Sequence, residues 1–85
     1  MITKNYQATR EGIFVASGEG VATITASTGA QWAIGSSSTT APTVSVRHNF
    51  GPDNESMNLE TGECLWVFGT AIVAVTATNA AAGDI

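Results

Sequence analysis

The sequence predicts an all-β domain, a compact antiparallel β-sandwich or small β-barrel of about six to eight short strands. Apolar and polar residues alternate in period two along much of the chain; in the run 21–26, Ala22, Ile24 and Ala26 share the drier face. Turn residues recur about every ten positions, a spacing typical of sandwiches and barrels. No segment carries a sustained helical period.

The N-terminal part predicts two strands. Residues 2–8 have the weak pattern of an edge strand, and residues 12–16 form a short apolar run typical of a buried strand. The segment 17–20 contains two glycines, but no lysine follows and no helical pattern begins there. It therefore predicts a hairpin turn rather than a phosphate-binding loop.

The next two strands are predicted at 21–26 and 30–34. Three turn-forming residues, 27–29, separate them and indicate a second hairpin. Trp32 and Ile34 then lie on one face of the later strand.

The middle of the chain predicts two more strands, at 43–50 and 57–60, after a polar Ser/Thr loop at 36–40 that ends at Pro42. Solvent exposure at one tip of the domain is the simplest reading of that loop. The residues predicted to face inward are Val44, Val46, His48, Phe50, Met57 and Leu59.

The C-terminal part has the strongest strand pattern. Residues 63–68 and 71–78 are rich in aromatic and β-branched side chains, and only Gly69 and Thr70 separate them. This spacing predicts a hairpin with a type II′ turn. Alternation is lost over 80–85, which we expect to be a flexible end or an arm that orders against a neighbour.

Length and composition predict one β domain spanning 1–85, with 1–9 and 80–85 as possible flexible or interface arms. Hydrophobic residues make up 44% of the chain, but many are alanines, which bury little area. A small β domain with so thin a core usually gains stability from disulfides, metals or association. We therefore expect self-association, with a trimer favoured, or docking on a larger body.

Charge and cysteine content point to a protein partner. The net charge is −4, and the basic residues Lys4, Arg10 and Arg47 are scattered, so binding to nucleic acid or to an anionic membrane is not expected. Cys64 has no second cysteine to pair with. Met1 is followed by polar residues rather than a secretory signal, which favours a soluble protein folded in a reducing cytoplasm.

The candidate chemical sites each have a simpler structural interpretation. Cys64 and His48 lack the orienting group of a catalytic pair, and the oxygen-rich loop 53–55 lacks the alternation of a calcium loop. Trp32 and Trp66 would form a sugar-stacking platform only if exposed, and each shares a face with apolar neighbours. We predict no catalytic residue, no metal site and no cofactor. The residues predicted for the core or an interface are Trp32, Ile34, Phe50, Leu65, Trp66, Phe68, Val73 and Val75.

Three segments together resemble small structural proteins encoded among bacteriophage virion genes. They are the run 32–35, the Ser/Thr loop that closes on 41–43, and the run 62–66 before a terminal Val/Ala/Thr strand. The resemblance covers most of the chain, from about Gly20 to Thr78.

The resemblance implies a non-enzymatic virion component, a compact β-sandwich or barrel displayed in many copies. Within that class a capsid decoration or cement protein is favoured, with the major capsid protein or other virion subunits as partners. A tail- or fibre-associated module is the alternative inside the class, and a carbohydrate-binding or adhesin module is the alternative outside it.

Overall fold

The structure, a computed structural model, describes residues 1–25, 30–51 and 54–83, and it confirms the all-β prediction. The chain forms two antiparallel sheets packed as a sandwich of 27 × 24 × 18 Å. One 3₁₀ turn, Val44–Val46, is the helical element among the described residues, none of which form a helix able to cross a membrane. The strands are β1 (Ile2–Gln7), β2 (Ile13–Ser17), β3 (Gly20–Thr25), β4 (Gln31–Gly35), β5 (His48–Asn49), β6 (Asn54–Leu59), β7 (Cys64–Phe68), β8 (Ile72–Thr78) and β9 (Ala81–Ala82).

The topology is that of a jelly roll. The first eight strands pair as nested ladders, β1 with β8, β2 with β7, β3 with β6 and β4 with β5. The ladders alternate between the sheets, which gives the order β1-β8-β3-β6 in sheet A and β5-β4-β7-β2-β9 in sheet B. A long hairpin wrapped in this way produces the double-sheet jelly roll.

The three predicted hairpin pairings are wrong. The strands 64–68 and 72–78 lie in opposite sheets, and so do β3 and β4. The turn between β2 and β3 also passes from one sheet to the other. A tight turn at the rim of a sandwich joins facing sheets as readily as neighbouring strands, so a short spacer does not identify the hydrogen-bonding partner. The predicted turn 27–29 lies outside the described residues.

The core between the sheets follows the predicted alternation of β3, β6 and β8. Ile24, Leu65, Val73 and Val75 are fully buried in it. Seven of the fifteen buried residues of this cluster are alanines, such as Ala22 in β3, so nearly half of its positions contribute little apolar area.

The predicted strand over 43–50 is largely wrong. Val44–Val46 forms a 3₁₀ turn, Val46 is exposed, and only His48–Asn49 pairs with β4. Apolar residues two apart in a short segment fit a turn as well as a strand. This segment is part of a long connection, residues 36–47, that lies against sheet B.

The terminal segments pair within the domain. β1 forms the predicted edge strand of sheet A, and 81–82 pairs with β2 at the edge of sheet B. Gly83 N donates a hydrogen bond to Val15 O (2.7 Å), and Ala80 and Ala82 are buried. Residues 84–85 lie outside the described residues, and a role of either terminus as an interface arm stays a prediction.

Candidate functional site

A second apolar cluster covers the outer face of sheet B. Because β7 is central in that sheet, its alternate residues point to opposite faces: Leu65 and Val67 enter the main core, whereas Trp66 and Phe68 point away from it. All five residues of β7 are nonetheless buried. The outer cluster comprises Ala33, Cys64, Trp66 and Phe68, with Phe14 and Ala41 packed against it.

The connection 36–47 forms the lid of this cluster. Trp66 Nε1 donates a hydrogen bond to Ser37 O (2.9 Å). The Trp66 and Phe14 rings pack edge to face with their centroids 6.3 Å apart. A Cβ on Gly35 would lie 2.8 Å from Pro42 Cγ, so a glycine is needed where the connection crosses β4. The Ser/Thr loop 36–40 is solvent-exposed as predicted except at Ser37, whose carbonyl anchors it on the sheet.

Phe68 is held between a cation and a glycine. The Arg47 guanidinium lies 3.7 Å above the ring centroid, a cation–π contact, while Arg47 Nε has no hydrogen-bond partner among the described residues. On another side Gly12 has a φ of +99°, and a Cβ there would overlap the Phe68 ring. Thr9 O accepts hydrogen bonds from the Gly12 and Gly69 amides (3.1 and 2.9 Å) and so fixes the segment beside the ring.

The predicted core or interface residues divide between the two clusters. Leu65, Val73 and Val75 are buried in the main core, whereas Trp66 and Phe68 are buried in the outer cluster. The partly buried residues that pack against the main core are Trp32, Ile34 and Phe50. The structure therefore gives all eight a packing role.

Trp32 joins the two sheets at their open edge. Its Nε1 donates a hydrogen bond to Glu55 Oε2 (2.6 Å), and Glu55 Oε1 accepts one from the Gly51 amide (3.0 Å). His48, directly opposite Trp32 in the ladder, stacks on the indole with ring centroids 4.7 Å apart. The sequence predicts that His48 faces inward with Val46 and Phe50, but its side chain is exposed. A strand only two residues long leaves its side chains at the rim.

Cys64 and His48 do not form a catalytic pair. Cys64 packs in the outer cluster, whereas His48 shares the opposite face of sheet B with Trp32. Cys64 pairs with Gly35 and His48 with Trp32, which separates them by a further ~10 Å along β4. Burial raises the pKa of the Cys64 thiol, which is opposite to the shift that activates a nucleophilic cysteine.

The acidic residues do not assemble a metal site within the described part of the chain. Asn54 and Glu55 belong to β6 rather than to a loop, and Asp53 lies outside the described residues. A shallow open depression is lined by Glu19, Leu59, Glu60 and Thr61. There Thr61 Oγ1 donates a hydrogen bond to Glu19 Oε2 (3.1 Å), so that carboxylate already has a protein partner.

The outer face of sheet A is uncharged and rich in hydroxyl and amide groups. A row of four hydroxyls crosses all four strands, with hydrogen bonds between the side-chain oxygens of Thr3 and Thr76 (3.1 Å) and between those of Thr23 and Ser56 (2.8 Å). We call this surface the hydroxyl face. It consists of Thr3, Asn5, Gln7, Val21, Thr23, Thr25, Asn54, Ser56, Asn58, Ile72, Ala74, Thr76 and Thr78.

Sequence reasoning missed this surface as a unit. The alternation of β3 does place Val21, Thr23 and Thr25 on the wetter face. The uncharged surface emerges only when β1, β6 and β8 are aligned beside that strand, and their order in the sheet is non-local.

Comparison of the chain with models of protein families, with curated proteins and with solved structures finds no match.

Proposed function

We propose that this chain is a non-enzymatic structural protein of a bacteriophage virion, and within that class a multi-copy decoration or cement protein that stabilises the capsid through protein–protein contacts. The observation that supports this most is the jelly-roll topology, with four nested ladders in a chain of 85 residues. Jelly rolls recur in viral capsid and lectin domains. This is an analogy of fold, and it agrees with the resemblance of the segments 32–35, 41–43 and 62–66.

The packing favours a role as a rigid building block. Both faces of sheet B are covered, one by sheet A and the other by the connection 36–47. The Trp66 and Arg47 contacts fix that connection to the sheet. A small rigid module loses little conformational entropy on docking, and repetition over a shell multiplies weak contacts through avidity.

The carbohydrate-binding alternative receives less support from the two tryptophans. Trp66 is 7% exposed and its indole N–H is already bonded, so its ring offers no platform for a sugar. Trp32 is half-buried, and the His48 ring covers part of it. A tail or fibre location within the same class of virion proteins uses the same module and differs only in where it docks.

The proposal is tested by measuring the copy number of the chain in purified virions of the phage that encodes it. We expect quantitative mass spectrometry to find it in large excess over tail proteins, in a fixed ratio to the major capsid protein. Shells depleted of the chain should regain it on incubation with the purified protein and should then resist heating better, since a ligand that binds the assembled state stabilises it. Absence from virions would overturn the proposal, and a copy number matching tail proteins would favour the tail.

A further inference from the structure

The hydroxyl face is free of charge although the chain is acidic. Lys4 in β1 and Glu55 in β6, the charged residues of sheet A, lie in register with the core positions Val75 and Ile24 rather than on this face. The other charged residues that the structure describes lie outside the four strands of sheet A, with Glu19 and Glu60 just beyond the ends of β3 and β6. The strand positions that form the hydroxyl face are therefore uncharged, although the chain carries a net charge of −4.

The face is also easier to dehydrate than an ordinary polar surface. In each of the pairs Thr3–Thr76 and Thr23–Ser56 one hydroxyl donates to the other, so part of the hydrogen bonding that water would supply is already present. Thr23 and Thr76 are partly buried by their neighbours. Ile72 is 68% exposed and adds apolar area at one end of the face.

These properties select an occupant that is uncharged and able both to donate and to accept hydrogen bonds. A charged partner surface would lose hydration here without a compensating charge. A second copy of the same face meets both conditions, because hydroxyl and amide groups are donors and acceptors at once. Lys4 and Glu55, the charged residues of the four strands, lie on the opposite face of sheet A and so do not enter such a contact.

We propose that the hydroxyl face is a self-association surface, on which two copies of the chain stack sheet to sheet around a two-fold axis. Such a contact joins the same patch on both copies, as a two-fold interface requires. It gives a pair rather than the trimer expected from the sequence. The proposal does not depend on a virion role, because it concerns the chain alone.

The size of the face predicts a weak pair. Four strands ~4.8 Å apart and six residues ~3.4 Å apart cover ~400 Å² on each copy, or ~800 Å² in total. Stable interfaces bury ~1,200–2,000 Å², so we expect a dissociation constant in the micromolar to millimolar range, ~10⁻⁶–10⁻³ M. Association would then become appreciable at high local concentration.

Sedimentation velocity tests the proposal. The protein concentration is raised to ~1 mM, which equals the weakest dissociation constant that we expect. Thr76→Lys places a charge at the centre of the face and lowers the net negative charge, so loss of association cannot be attributed to greater repulsion. Thr40→Lys is the control. It makes the same chemical change at an exposed residue of the connection 36–47, which lies on sheet B and away from the hydroxyl face. Circular dichroism melts establish that each variant folds, and Ser56→Lys replaces Thr76→Lys if that variant does not.

We expect the wild type and Thr40→Lys to associate alike as concentration rises, and Thr76→Lys to associate at least ~10-fold more weakly, a difference of ~1.4 kcal/mol. A wild type that stays monomeric throughout the series would overturn the proposal. So would equal association of Thr76→Lys, which would assign self-association to another surface such as a sheet edge. Neither result would change the expected copy number in virions, so this test and that of the proposed function fail separately.

Discussion

Replacing Trp66 by alanine perturbs the outer cluster at its largest side chain. The indole is 7% exposed, and a buried tryptophan removes ~150–250 Å² from water. At ~25 cal/mol per Å² this corresponds to about 4–6 kcal/mol, near the 3–5 kcal/mol observed for deleting buried tryptophans. A domain of this size has a free energy of unfolding of about 5–15 kcal/mol, so Trp66→Ala should leave little or no stability.

The hydrogen bond to Ser37 O makes part of this loss specific to the indole N–H. Trp66→Phe keeps an aromatic ring but leaves the Ser37 carbonyl without its partner, which should cost about 1–3 kcal/mol. The two variants should therefore rank clearly, with alanine the more destabilised.

Urea denaturation followed by far-ultraviolet circular dichroism measures both variants without relying on the tryptophan being removed. Thr40→Ala, on the exposed part of the same connection, serves as the control and should change the free energy of unfolding by less than ~0.5 kcal/mol. A loss below ~1 kcal/mol for Trp66→Ala would refute the reasoning, because it would mean that the ring is not buried beneath the connection.

Three further predictions concern other parts of the packing. Gly12→Ala should lower the melting temperature well beyond Gly62→Ala in parallel thermal melts, because both glycines have positive φ but only at Gly12 would a Cβ meet the Phe68 ring; equal losses would contradict this. The pKa of the Cys64 thiol is raised in the folded state, so its contribution to stability is present below the ordinary thiol pKa of 9.0 and is lost as the pH rises through the folded-state pKa. The free energy of unfolding from urea melts should therefore fall above pH 9.0 in the wild type, and fall less in Cys64→Ala. Glu55→Gln should lower the free energy of unfolding by about 1–2 kcal/mol in urea melts, because it removes the charged acceptor of the hydrogen bonds from Trp32 and Gly51. An unchanged midpoint would contradict a stabilising role for the Trp32–Glu55 hydrogen bond between the sheets.

The positions of most strands could be predicted because alternation is a local property. The strands predicted at 12–16, 21–26 and 57–60 follow from which residues tolerate burial on a pleated surface. The structure places strands over Ile13–Ser17, Gly20–Thr25 and Asn54–Leu59. The hydrogen-bonding partner of each strand could not be predicted in the same way. The spacer at 69–71 is compatible with a hairpin or with a crossing between sheets, and the choice depends on β7 being central in sheet B between β4 and β2.

The candidate surfaces show the same division. The uninterrupted apolar run 64–68 is a sequence signal for a strand that is covered on both faces. The segment that covers the outer face could not be predicted from this run. The connection 36–47 has no regular alternation of apolar residues, and Ser37 and Arg47 are distant in sequence from the Trp66 and Phe68 that they contact. The hydroxyl face likewise depends on the lateral order of four strands.

A cryo-electron microscopy map of the purified virion tests the proposed role most directly. The account predicts repeated density on the outside of the capsid that accommodates a two-sheet jelly roll of 27 × 24 × 18 Å, with contacts to the major capsid protein. Density for the chain on the tail alone would move it to the alternative location. Particles that lack the chain altogether would contradict the claim that it is a structural component of the virion.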